Sequence, residues 1–152
     1  MAFTIRKVDY FYVTIDDQPG EAYKILSYLA EHGVNLISFT SVPIGPAHNQ
    51  LTIIPEDQKK LKIEAKKVPF TFSAPHQALV VNGDDELGAL AGIHRQLHEK
   101  NINVYASSGV SHGDGGYGYL LYIKPEQFEE ASRALGLEHS AEISYSELKG
   151  IS

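Results

Sequence analysis

Any chemistry in this chain must come from carboxylates, imidazoles, amides and backbone, because its 152 residues include no cysteine. That excludes a thiol nucleophile, a thiolate zinc site and a disulfide scaffold. Seven histidines remain. His94 and His98 stand four apart, a metal-compatible spacing on a helix. No third ligand follows at fixed spacing, and the glutamate of a metalloprotease HExxH is missing, so no metal is expected. The run His112-Gly-Asp-Gly-Gly-Tyr-Gly looks like a phosphate loop in its glycines only. It lacks Lys-Ser/Thr and leads into a strand pattern, which makes it a hairpin. No serine, histidine and acid cluster suggests a triad. Lys59, Lys60, Lys62, Lys66 and Lys67 form one basic run, which reads as a solvated helix face. Two acidic turns stand out instead: Asp16-Asp17-Gln18-Pro19-Gly20 and Asp84-Asp85-Glu86-Leu87-Gly88. Each precedes a helix pattern, where aspartate serves as a cap.

The two turns are copies of each other, and so is what surrounds them. At a shift of 68 residues, Asp16, Asp17 and Gly20 fall on Asp84, Asp85 and Gly88. Ile25, Leu29, Glu31 and Asn35 fall on Ile93, Leu97, Glu99 and Asn103. Pro55-Glu56 matches Pro125-Glu126 at a shift of 70. The two extra residues belong in the glycine-rich hairpin, where a loop tolerates them.

Each copy reads as strand, helix, strand, strand, helix, strand. In the first, Phe11, Val13 and Ile15 alternate as a strand does. Ala22, Ile25, Leu26 and Leu29 then recur at helical spacing, and Gly33 ends that helix. Val34, Leu36 and Ser38 alternate again, residues 50–54 make a third strand, Pro55 opens a short helix, and residues 68–73 are the fourth strand. The second copy has strands at 76–81, 102–110, 117–123 and 141–145, with helices over 87–100 and 125–135. The class is α+β: two ferredoxin-like βαββαβ sandwiches in tandem, over 1–73 and 74–152, with antiparallel sheets and helices on one face. Simple alternation sends Tyr10, Tyr12, Ile37 and Phe39 to the face away from the helices. So large an apolar surface is expected to be covered, by the partner sheet or in a homodimer.

The turn, the helix and the strand that follows resemble the ACT family. Its mark is Asp/Asn-x-Pro-Gly after the first strand, an amphipathic helix, then Gly-Val-Asn-Ile/Leu opening the second strand. The first copy has Asp16-Asp17-Gln18-Pro19-Gly20 and then Gly33-Val34-Asn35-Leu36. The second keeps Asp, Gly and Asn but carries Leu87 for proline and Asn101 for the helix-ending glycine. The resemblance implies a domain that binds a small ligand, typically an amino acid, and performs no chemistry. It implies a pocket between the turn of one domain and the second-strand opening of its neighbour. Asp17, Gln18, Pro19 and Gly20 would face Asn103 and Val104; Asp85, Glu86, Leu87 and Gly88 would face Asn35 and Leu36. Elementary chemistry suits that placement. Free helix N–H groups donate to a carboxylate, aspartate accepts from an ammonium group, and asparagine both donates and accepts.

Net charge is −6, all of it carried by residues 74–152. An acidic chain is a poor binder of phosphate backbones, so no nucleic acid is expected. No apolar run is long enough for a membrane span, the N-terminus lacks the pattern of a signal peptide, and the chain reads as cytoplasmic. The implied protein is regulatory, needs no cofactor, and acts alone or on a partner enzyme or regulator. Two other readings compete. One is a metal enzyme of the paired vicinal-oxygen type, for which His76 and Glu142 are the only strand candidates. The other is a pure assembly domain with vestigial sites.

Overall fold

The computed structural model describes residues 3–84, 89–111, 113–137 and 142–145, and every absence stated below is an absence among these. In chain order the elements are β1 (Phe3–Asp16), α1 (Glu21–Glu31), β2 (Leu36–Ile44), β3 (His48–Pro55), α2 (Gln58–Ala65), β4 (His76–Asp84), α3 (Ala89–Glu99), β5 (Val104–Ser111), β6 (Gly116–Ile123), α4 (Pro125–Ala134) and β7 (Glu142–Tyr145). The class is α+β with antiparallel pairing. The chain divides into two compact units, 9–76 and 1–8 with 77–152. β1 thus contributes its first residues to one unit and its later ones to the other.

In the unit 9–76, β3 lies between β1 and β2, antiparallel to both. Phe11, Val13 and Ile15 share one face of β1, as a period of two requires. They pack with Leu51 and Ile53 of β3, Ile25 and Leu29 of α1, and Leu61 of α2. α1 buries this stripe and then stops at Gly33, whose φ of +72° turns the chain left-handed. The Val34 N–H closes on the Leu29 carbonyl at 2.8 Å, and Gly33 N–H on Ala30 at 3.1 Å. That is a glycine-terminated helix end.

Three expectations for this unit need correction. Pro55 does not open α2; it ends β3 opposite Leu36. α2 starts at 58 behind Asp57, whose carboxylate accepts from the Lys59 and Lys60 amides. Residues 68–73 are not a strand. Their one backbone tie to β1 is Ser73 N–H to Tyr12 O, while the Tyr12 N–H goes to the Ser73 hydroxyl instead of a carbonyl. Phe70 and Phe72 nevertheless pack on the core. Phe39 does not face away from the helices. A bulge between Leu36 and Ser38 resets the alternation, so Phe39 pairs with the core residue Ile53 and packs on the same core. Tyr10 and Tyr12 are half-buried, with the His76 ring stacked on both at 5.3 and 5.1 Å. The apolar side chains left exposed on β2 are Val42 and Ile44.

In the other unit, β6 lies between β4 and β5, antiparallel to both, and β7 pairs antiparallel with β1 from Phe3 to Arg6. Phe3, Ile5, Leu79, Val81, Leu121 and Ile123 pack with Ile93 and Leu97 of α3 and with Phe128, Ala131 and Leu135 near α4. Here the proline does open the helix: Pro125 is the first residue of α4, where its missing N–H costs nothing. Asn101 replaces glycine at the end of α3 by adopting the same left-handed backbone, φ +58°. The Ile102 N–H reaches the Leu97 carbonyl at 2.9 Å, repeating the bond at Val34. No described helix is long and apolar enough to cross a membrane.

Candidate functional site

The first acidic turn is held from below by the opening of β3. The Asp17 N–H donates to the Ala47 carbonyl at 2.8 Å, and Asn49 Nδ2 donates to Asp17 Oδ1 at 3.0 Å. His48 Nε2 lies 3.5 Å from Asp16 Oδ1. These ties follow from register: Asn49 stands opposite Ile15 and His48 opposite Asp16. Both aspartates are therefore turned toward β3 and not onto the helix.

The consequence appears at α1. Its N-cap is Gly20, with φ +90° and ψ −11°, and no side chain caps it. The capping role open to Asp16 and Asp17 in the sequence is not the one they take. The Glu21 N–H reaches back to Gln18 O at 3.3 Å, which leaves the following first-turn amides without a side-chain acceptor. α2 is the contrast, since Asp57 fills its N-terminus. Orphan amides at a helix start attract an anion, reinforced by the helix dipole. Residues 16–20 are exposed, so the turn that leads into this helix start is open to solvent.

The strand openings are also placed by backbone contacts. The Asn35 carbonyl accepts from the Glu56 N–H at 2.9 Å, and the Asn35 side chain is exposed while Leu36 packs on the core. Asn103 gives its N–H to Gln127 Oε1 at 3.2 Å, and Gln127 Nε2 donates to the Asn101 carbonyl at 3.2 Å. Val104 packs on its core. The second turn, Asp85, Glu86, Leu87 and Gly88, lies outside the described residues. Sequence reasoning missed Asn49 and Gln127. Neither belongs to a motif, and only the β1–β3 register and the α4 start bring them to the turn and to the strand opening.

His94 and Tyr119 Oη share a 2.9 Å hydrogen bond between α3 and β6, and His98 is exposed. Among the described residues no group of three histidine or acidic side chains is arranged to hold a metal. Of the glycine-rich run, residues 113–115 precede β6, with Gly115 at φ +92°.

No family model and no curated protein matches the chain. Solved structures do. A protein from Bacteroides thetaiotaomicron superposes with a TM-score of 0.75 at 13% identity, covering 95% of this chain and 96% of that one. The regulatory subunit of aspartate kinase from Thermus flavus gives 0.56 at 17% identity, and that from Thermus thermophilus, in its ligand-free form, 0.55 at 16%. Each of these two covers 88% of this chain and is itself covered over 94%. At such identities the likeness is one of fold. The two aspartate kinase regulatory subunits are ACT-type domains, and the chain shares their fold.

Proposed function

We propose that the chain is a regulatory module without catalytic activity, and that it binds a small molecule bearing a carboxylate and an ammonium group, an amino acid, at the Asp17–Gly20 turn. The observation that carries this reading is the unfilled N-terminus of α1 beside a carboxylate that Asn49 already fixes. The helix amides suit the ligand carboxylate. Asp17 spends one oxygen on Asn49 and keeps the other for the ammonium group. Gly20 lets the ligand approach the backbone closely.

The rest of the proposal leans on the family resemblance and on the regulatory neighbours. Two repeats, 1–73 and 74–152, share the work. By that resemblance Asn35, Leu36, Asn103, Val104 and the turn Asp85, Glu86, Leu87 and Gly88 also serve ligand binding. The first turn keeps the full motif and is the stronger site. The module works in the cytoplasm as a homodimer and passes ligand occupancy to a partner enzyme or regulator.

Isothermal calorimetry with a panel of common amino acids tests the reading. At least one should bind, and Asp17→Ala should weaken it about tenfold, which is the loss of one charge-assisted hydrogen bond of roughly 1.5 kcal/mol. A folded protein that binds none of them would sink the proposal.

A further inference from the structure

The five-lysine run is not one uniform solvated face. Lys60 is drawn to the end of α1, where its Nζ would touch a Cβ placed on Gly33. Lys67 pairs with Glu64 at 3.5 Å. Lys59, Lys62 and Lys66 are left, exposed and without an ion pair among the described residues. They fall at i, i+3 and i+7, with Ile63 at i+4, so all four share one stripe that runs along α2 to its C-cap, Lys66. Ile63 is 56% exposed in the middle of it. Leu61, on the other side, is fully buried.

α4 carries the opposite stripe at the same spacing. Glu126, Glu129, Glu130 and Arg133 recur at i, i+3, i+4 and i+7, all exposed, while Phe128, Ala131 and Ser132 are buried. Its three glutamates also have no ion pair among the described residues. Each helix thus holds like charges three and four residues apart, an arrangement that destabilises an isolated helix. In α4 only Arg133, at i+4 from Glu129 and i+3 from Glu130, offsets this, and no ion pair to either stripe occurs among the described residues.

We propose that the lysine stripe of α2 in one copy docks on the glutamate stripe of α4 in a second copy, covering Ile63 as it does so. Three lysines meet three glutamates, and the like-charge strain of both helices is relieved together. The contact joins unlike faces, so it either closes a ring or runs on beyond a dimer. It is electrostatic and must be sensitive to salt.

Sedimentation velocity on the full chain tests this at about 0.01 M salt, where charges reach roughly 30 Å, and at about 1 M, where they reach roughly 3 Å. The wild type should show a higher average mass at low salt. The variant Lys59→Glu/Lys62→Glu/Lys66→Glu and the variant Glu126→Lys/Glu129→Lys/Glu130→Lys should each lose that excess, and an equal mixture of the two should regain it. The glutamate variant is the sharper one. It moves the net charge from −6 to zero, which by itself favours nonspecific association. If a charge reversal unfolds either helix by circular dichroism, the same positions are changed to glutamine and the loss of the excess is read alone. A wild-type mass independent of salt would overturn the proposal. So would an excess that survives loss of the lysines, or a mixture of the two variants that does not regain it.

Discussion

Asp17 illustrates how one residue can look like a cap and serve as something else. Its carboxylate is turned to Asn49 on β3, and Gly20 takes the N-cap position in a left-handed conformation. At φ +90° a side chain is strained whatever the space around it. Gly20→Ala should therefore cost about 1 kcal/mol of stability, read as a lower denaturation midpoint. It should also weaken amino-acid binding, because a methyl group then lies where the ligand meets the backbone. Asn101 is the reverse case, an asparagine in a glycine position at φ +58°. Asn101→Gly should be neutral or stabilising, whereas the β-branched Asn101→Val should cost more than about 1 kcal/mol.

Tyr122 gives a residue-scale prediction in pH. Burial raises its phenol above the ordinary value of 10.0, and Tyr105 beside it adds to the shift. The folded state therefore holds this proton longer than the unfolded chain does. Stability from this group is complete below pH 10 and falls as pH climbs through the raised value. Denaturation profiles at about pH 9 and about pH 11 should differ less in Tyr122→Phe than in the wild type.

At the scale of elements, the two short helices of 9–76 differ at their N-termini, and the difference is measurable. Asp57→Ala removes the cap of α2 and should cost about 1 kcal/mol. Asp16→Ala, one residue before the first turn's key acid, removes no cap and should cost less than about 0.5 kcal/mol. Both are read by denaturant unfolding.

The same comparison shows what the sequence could and could not say. Apolar spacing located α1, α3 and α4, since a stripe such as Ile25 and Leu29 needs no partner to be recognised. Alternation located β1 and the opening of β2, and residues 50–54, 76–81 and 117–123 read as strands in their place between helices. What failed was whatever depends on pairing. The bulge that turns Phe39 inward exists only against β3. Residues 68–73 have strand chemistry, but Ser73 satisfies Tyr12 with its hydroxyl, and no strand forms. Pro55 satisfied the rule for a helix start as well as Pro125 does, yet Asp57 makes the better cap two residues on. In the site, Asp17 and Gly20 were legible by type. Asn49 was not, because its partner is set by strand register.

For the whole molecule, the division of β1 between two compact units is the feature least visible in a 68-residue repeat. The fold is shared with the regulatory subunits of the Thermus thermophilus and Thermus flavus aspartate kinases. His94 bonds to Tyr119 and His76 stacks on tyrosines. The proposed output is a change in assembly or in a partner's activity on ligand binding. A ligand that binds only the folded chain must stabilise it by mass action, by about 2.7 kcal/mol at one hundred times its Kd. The stabilising amino acid in a thermal-shift panel should therefore be the one that gives heat in solution.

The most direct test of the central claim is calorimetry of the full chain against the common amino acids, with Asp17→Ala and Asp57→Ala alongside. One amino acid should bind the wild type, bind Asp17→Ala about tenfold more weakly, and bind Asp57→Ala as it binds the wild type. No binding by the folded wild type, or equal binding by Asp17→Ala, would contradict a site at the Asp17–Gly20 turn.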